Sequence, residues 1–242
     1  MALQINIHKQ LNFFNLEVSL TCRAGTLTAI VGPSGAGKST LIRIIAGLEC
    51  PDSGMITFGD KYWNDCSRNL HVTPQNRQVS LVFQEYTLFP HLTVRQNIVF
   101  GAANDNGIDE LLDQFGIFHV AHRKPACISG GERQRAAFCQ ALAREPVLLL
   151  LDEPFSALDR ATRESLRKKL NQLKQDLHIP IIHITHDLEE AYALGDNIYV
   201  MESGKASPQW LEQYPVQRAS LTDEFLPRKQ RQQPCATVSN ML

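Results

Sequence analysis

The nine residues GPSGAGKST run through Gly32, Pro33, Ser34, Gly35, Ala36, Gly37, Lys38, Ser39 and Thr40, and set glycine-rich backbone beside one lysine and three hydroxyls. They fit GxxxxGK[ST], a loop whose backbone N–H groups wrap a phosphate chain. On that pattern the N–H groups of Gly35, Ala36 and Gly37 surround a β-phosphate and Lys38 neutralises the β- and γ-phosphates. Ser39 ligates Mg2+, and Thr40 contacts the α-phosphate. An ordinary Gly-rich turn is the bland alternative. The apolar run TLTAIVG before the loop and the helical STLIRIIAGL after it weigh against that reading, so the stretch is taken as a nucleotide site.

LLLLDEP at 148–154 is a fitting companion: four apolar residues make a buried strand, and Asp152 at its carboxyl end can hold Mg2+. Glu153 follows, placed to polarise a water toward phosphorus if the backbone turns at the strand end. Gln84 after VSLVF and His186 after IIHIT stand at the ends of two more apolar strands. That is the edge where open α/β sheets bind ligands. Gln84 can touch Mg2+ or the attacking water, and His186 can donate to a γ-phosphate oxygen.

ISGGERQR at 128–135 is a second anion-seeking element, a Ser and two glycines opening a helix, where free N–H groups and the positive end of the dipole converge. Nothing in the sequence brings it to the phosphate loop of its own chain.

The elements that must hold these residues follow from periodicity. LQINI (3–7) and LEVSL (16–20) alternate and read as half-exposed antiparallel strands. Core strands are expected at TLTAIVG, VSLVF, VLLLLDEP and IPIIHITHD, a turn at PDSG (51–54) with a strand after it, and a final strand at NIYVME. Helices are expected at STLIRIIAGL, ending at Gly47, and at GERQRAAFCQALAR, TRESLRKKLNQLKQDL and LEEAYALG. Residues 61–78 read as polar and irregular. The segment of about 87–140 reads as a helical insertion in the α/β core, and 216–242 as a patternless tail.

Composition narrows the function. With 24 Lys+Arg against 25 Asp+Glu in 242 residues there is no basic footprint for nucleic acid. The run VLLLL is far short of the about 20 apolar residues needed to span a bilayer, and the N-terminus is not a signal peptide. Six cysteines without a CxxC pair point to reduced thiols in a cytosolic protein.

Taken in order, GPSGAGKST, VFQ, ISGGERQR, LLLLDEP, SALD and THD resemble the ATP-binding cassette family from about residue 3 to 205. The resemblance implies an α/β P-loop NTPase core with a mostly parallel sheet, an N-terminal antiparallel β subdomain and an inserted helical subdomain, all within a cassette domain of residues 1–215. It implies ATP with Mg2+, and two cassettes packed head to tail as a homodimer or a cassette heterodimer. In that arrangement Ser129 and the N–H groups of Gly130 and Gly131 complete the partner's site on the γ-phosphate. SALD, Ser156 to Asp159, is then the loop that crosses the interface, and His186 the γ-phosphate switch. The adenine-stacking aromatic would be Phe14 or its neighbour Phe13. Ile128 replaces a common Leu, Glu132 a common Gln, and ESGKASPQWL lacks the second glycine that usually closes the last hairpin.

QEYTLFPHLTVRQNI resembles the segment of importer cassettes that receives a short helix from a membrane subunit. WND, VTPQNRQVSLVFQ, LFPHLTV and KPACISGGERQR look most like the molybdate, tungstate and sulfate importers. The expected setting is the cytoplasmic face of the membrane, with separate permease subunits and, indirectly, a solute-binding protein, and no nucleic acid. Two other classes compete: a soluble cassette protein of DNA repair or translation, which usually has two cassettes or a long coiled insertion, and a P-loop kinase or GTPase, which would lack ISGGERQR.

Overall fold

The computed structural model describes residues 1–83, 88–156 and 158–213. The chain opens with β1 (Ala2–Gln10) and β2 (Asn15–Arg23), paired antiparallel along their whole length with Ile5 opposite Leu20. Next come β3 (Leu27–Val31), α1 (Lys38–Ala46) and β4 (Ser53–Phe58), which returns antiparallel to β1.

The stretch 61–78, expected to be irregular, is ordered. It holds β5 (Lys61–Asp65), β6 (Leu70–His71) and the short helix α2 (Pro74–Arg77). A shift in the β4–β5 register between Ile56 and Thr57 lets Trp63, Asn64 and Asp65 all turn inward. With no alternation, and with Asn64 and Arg77 as polar core residues, the stretch carries no apolar period to read.

The expected core strands follow as β7 (Val79–Val82), β8 (Leu148–Asp152), β9 (Ile181–Ile184) and β10 (Asn197–Glu202). Between β7 and β8 every described element is helical: α3 (Val94–Gly101), α4 (Ile108–Gln114), 3-10 turns at Phe118–Val120 and Pro125–Cys127, and α5 (Gly130–Leu142). Helices α6 (Arg160–Leu177) and α7 (Leu188–Leu194) flank β9, and the two-residue strand β11 (Lys205–Ala206) ends the sheet. Residues 214–242, including the expected tail, lie outside the described residues, as does Gln84.

Two sheets result. One is antiparallel, in the order β2-β1-β4-β5-β6. The other has the order β11-β10-β3-β9-β8-β7 and is parallel except for β11. The α/β expectation with a mostly parallel core and an N-terminal antiparallel sheet is borne out. Alternation along β8 splits the core: Leu148 and Leu150 pack with α1 and the antiparallel sheet, while Leu149 and Leu151 face the helical segment and α6. All four leucines are fully buried, each contributing about 1.5–3 kcal/mol. The β10–β11 hairpin closes without its second glycine because Ser203 itself takes a left-handed conformation (φ 46°) before Gly204 (φ 80°). Both central residues of a type I′ two-residue hairpin turn need that geometry.

Candidate functional site

The phosphate loop leaves β3 at Gly32, whose φ is 152° and where an added Cβ would lie 1.9 Å from the Met201 carbonyl oxygen of β10. Only glycine lets the loop pass that close to the neighbouring strand. Helix α1 then starts from Gly37 with no side-chain cap and no acidic residue in its first turn. The helices α3, α5, α6 and α7 are all capped by a side chain, from Thr93, Ser129, Asp159 and Asp187 respectively. The short helices α2 and α4 also lack a side-chain cap, but α1 is the uncapped helix that opens from the glycine-rich loop, where its free N–H groups suit an anion.

Lys38 is nearly buried, and its Nζ donates to the carbonyl oxygens of Gly32 and Pro33, each at 2.8 Å. Burial lowers its pKa, and the charges of Glu153 and Asp152 oppose that. The ammonium, the two carboxylates and the loop therefore already form one electrostatic unit. The Asp152 carboxyl is pushed above the usual carboxylate range by burial and by Glu153, against a Ser39 hydroxyl hydrogen bond and the Lys38 charge. Ser39 and Asp152 are the two protein oxygens one would ask of a Mg2+ site whose other ligands are phosphates and water. Among the described residues there is no cluster of three or more His, Cys, Asp or Glu able to hold a metal alone. Two oxygens beside a free helix end fit a metal that arrives with a nucleotide.

Glu153 answers the geometric question posed by two adjacent carboxylates. Its φ is 47°, so the chain turns left-handed immediately after β8, and its N–H donates to the Ile184 carbonyl of β9 at 3.0 Å. A non-glycine residue held there costs on the order of 1–3 kcal/mol, a strain that concentrates at functional sites. The turned side chain reaches His186, with Oε2 3.3 Å from Nδ1. The His186 side chain is 64% exposed, free to meet an incoming group.

A cavity of about 890 Å³ is lined by Phe13, Phe14, Ser34, Gly35, Ala36, Gly37, Lys38, Ser39, Thr40, Glu153 and His186. Residues the sequence reading did not single out also line it: Lys9, Gln10, Leu11, Asn12 and Glu49. Lys9 pairs with Glu49 at 3.4 Å and donates to the Cys50 carbonyl at 2.8 Å. No motif marks these residues; only the fold of β1 against the loop after α1 brings them in. The Phe14 ring lies close to both Gly37 and Gly204, wedged between the phosphate loop and the last hairpin, whereas Phe13 is 95% exposed.

Ser129, Gly130 and Gly131 do not line this cavity. Ser129 caps α5 in a reciprocal box with Glu132: the Ser129 N–H and hydroxyl both donate to Glu132 Oε2 at 2.7 Å. An added Cβ on Gly131 would lie 3.1 Å from the Thr162 side chain in the first turn of α6. That turn is capped by Asp159, which accepts from the Thr162 N–H and hydroxyl. The start of α5 and the Asp159-capped start of α6 therefore adjoin each other, and neither lines the cavity around the phosphate loop.

The molybdenum import ATP-binding protein ModC of Haemophilus ducreyi is 42% identical over 205 residues, covering 84% of this chain and 58% of its own length. The sulfate/thiosulfate import ATP-binding protein CysA of Nocardia farcinica is 45% identical over 203 residues, covering 80% of this chain and 60% of its own. The chain thus spans about three fifths of the length of these curated relatives. Among solved structures, the dimeric post-hydrolysis state of the ATP-binding cassette MJ0796 bound to ADP and Pi matches with a TM-score of 0.72 at 28% identity, covering 86% of this chain and 97% of that one. With the ABC transporter family model matching residues 16–156, and the phosphate loop and the Asp152–Glu153 strand end within that span, the chain belongs to the ABC transporter family.

Proposed function

We propose that this chain is the ATPase subunit of an importer, binding MgATP in a head-to-tail cassette dimer whose closing and reopening drive uptake through separate permease subunits. The observation that carries the reading is the convergence of Lys38, Ser39 and the Glu153–His186 pair on one cavity, with Asp152 hydrogen-bonded to Ser39 behind its wall. When bound with the nucleotide, Mg2+ neutralises charge on the β- and γ-phosphates. Lys38 exchanges its loop carbonyl partners for phosphate oxygens, and the N–H groups of Gly35 to Thr40 at the uncapped end of α1 hold the phosphate chain. Glu153 orients and deprotonates the attacking water, and His186, already turned toward Glu153, donates to the γ-phosphate. Phe14 stacks on the base. Gln84 is assigned to the metal and the water by its place after β7.

Ser129, Gly130 and Gly131 serve the other subunit's nucleotide, and Asp159 lies on the same face. Their separation from the chain's own cavity supports that division. A groove of about 490 Å³ lined by Leu48, Leu81, Phe83, Phe89, Phe100 and Arg144 among others leaves Phe100 69% and Leu48 50% exposed. This apolar groove, beside the segment after Gln84, suits a short helix of the permease. No described helix is long and apolar enough to cross a membrane, so the subunit would sit peripherally on the cytoplasmic face, with a solute-binding protein upstream. The solute we propose is molybdate or a similar oxyanion; sulfate is the near competitor, since both kinds of importer occur among the relatives.

The test is Glu153→Gln. Losing a positioned base costs about 10²- to 10⁴-fold in turnover, so the variant binds MgATP but accumulates as an ATP-bound dimer. Wild-type hydrolysis by Glu153→Gln would remove Glu153 from this role. Competition between labelled molybdate and sulfate in uptake by the assembled transporter decides the solute.

A further inference from the structure

Behind Glu153 and His186 lies a buried polar cluster to which neither the sequence motifs nor the proposed mechanism gives a task. His183 in β9 is 0% exposed, and its Nε2 donates to Glu190 Oε2 at 3.2 Å. The same carboxylate oxygen accepts the Thr185 hydroxyl at 2.5 Å. That hydroxyl in turn accepts the Asp187 N–H at 3.1 Å, which closes the backbone turn around His186. Arg167 of α6 donates to Glu190 Oε1 at 3.1 Å and lies 3.6 Å from Asp187. Arg163, one turn earlier, lies 3.7 Å from Asp187. On its other side the His183 ring meets Phe155 with centroids 5.5 Å apart, and Phe155 is two residues beyond Glu153.

The cluster is costly to bury: the Glu190 carboxylate at its centre has both oxygens hydrogen-bonded, while His183 Nδ1 and the Nε atoms of Arg163 and Arg167 are buried without a partner among the described residues. Burial works against ionising Glu190, yet the hydrogen bond and charge of His183, the Thr185 hydroxyl and Arg167 outweigh it and hold the carboxyl down to about 2. Buried polar groups linked this way rigidify their surroundings when satisfied. His186 itself has little to orient it, being exposed and, among the described residues, in polar contact with Glu153 alone. Its direction is set by the Thr185–Asp187 turn, and Glu153's by the left-handed turn that leads to Phe155. The cluster touches both turns.

We propose that His183, Thr185 and Glu190 are positioning residues: a buried brace that fixes the His186 turn relative to the Glu153 segment and, through Arg167, ties both to α6, the helix capped by Asp159. This rests on the roles given to Glu153 and His186 above. The brace acts on geometry at the reacting phosphate and leaves nucleotide binding alone, because none of its members lines the cavity. Displacing a reacting group by about 1 Å costs up to about 100-fold in rate.

The experiment uses the full chain in steady-state ATP hydrolysis, with MgATP affinity measured in parallel. Thr185→Val removes the hydroxyl and keeps the shape; Thr185→Ser keeps the hydroxyl. We expect Thr185→Val and Glu190→Gln to lose about 10- to 100-fold in kcat with MgATP affinity within about twofold of wild type, and Thr185→Ser to retain wild-type kcat within about threefold. In a Glu153→Gln background, Thr185→Val should add little further loss, since the residues act as a unit. If Glu190→Gln does not fold, the Val and Ser variants of Thr185 decide. His186→Ala separates the two layers of the reading. A crippled His186→Ala beside normal turnover in Thr185→Val and Glu190→Gln refutes the brace alone. Normal turnover in His186→Ala refutes the role given to His186 and takes the brace's target with it. Loss of MgATP affinity in step with kcat, in Val and Ser variants alike, would mark a merely structural role and also overturn the proposal.

Discussion

Arg77→Met tests whether a buried cation holds the phosphate-loop helix in place. Arg77 is 1% exposed, yet no carboxylate pairs with it among the described residues. Its Nε donates to the Val72 carbonyl at 2.8 Å, and Nη1 to the Ile44 and Ile45 carbonyls at 2.9 and 2.7 Å. Nη2 donates to the Trp63 carbonyl at 3.3 Å and to Asn64 Oδ1 at 2.5 Å, and the guanidinium lies over the Trp63 ring. Ile44 and Ile45 lie in the last turn of α1, where the dipole is negative; the Ile44 carbonyl also accepts the Gly47 N–H at 3.1 Å, and the guanidinium adds a bond to it and to Ile45. The helix end is thus the counter-charge. Burial lowers the guanidinium pKa to about 10, which leaves it charged at neutral pH. Methionine keeps the stem and deletes five donated bonds. Each charge-assisted bond is worth about 1.5–3 kcal/mol, but relief of the buried charge returns part of this, so the net loss is about 3–5 kcal/mol. For a chain of this size that lowers the thermal midpoint by roughly 6–20 °C. Urea unfolding followed by circular dichroism, with the thermal midpoint alongside, measures it. A loss below about 1 kcal/mol would refute the reasoning, because the helix end would then be satisfied without the guanidinium.

Two further outcomes follow from the site. Burial raises the Asp152 pKa, so this carboxyl contributes stability below the ordinary carboxylate range that is lost as pH rises through its raised value. Asp152→Asn should therefore unfold at higher urea than wild type at pH 7.5, with the gap closing toward acid, while Mg2+-dependent nucleotide binding falls; a less stable Asn variant at pH 7.5 contradicts this. Phe14→Ala should weaken ATP binding about 5- to 150-fold, the equivalent of about 1–3 kcal/mol of base stacking, with inorganic triphosphate affinity unchanged. An unaltered preference for ATP over triphosphate in that variant, with a loss in Phe13→Ala, would move the stacking role to the exposed ring.

The sequence is most legible where local pattern and chemistry coincide. The apolar runs at TLTAIVG and VLLLLDEP gave their strands because parallel core strands are buried on both faces, and the glycine loop gave its helix start. Residues 61–78 were opaque because β5 points three consecutive residues inward and the stretch uses Asn64 of β5 and Arg77 of α2 as core, so polarity there marks burial rather than solvent. Lys9 and Glu49 carry no motif and reach the cavity only through strand pairing and a loop return. His183 and Glu190 were invisible for a related reason: a buried polar cluster has no period, and each member looks like an ordinary strand or helix residue. The second anion-seeking helix was legible as chemistry but its target was not, since the chain alone never brings it to its own cavity.

That target is the central claim, and a mixed dimer tests it most directly. One chain carries Lys38→Ala, which removes the ammonium bonded at Gly32 and Pro33; the other carries Ser129→Arg, which blocks the start of α5. If Ser129, Gly130 and Gly131 complete the partner's site, mixing creates one composite site with both lesions and one with neither. ATP-dependent association, followed by gel filtration and cross-linking, should then appear in the mixture and be absent from either variant alone. If these residues served their own chain, each lesion would stay with its protomer. Two folded variants that show no ATP-dependent mixed dimer would contradict the account.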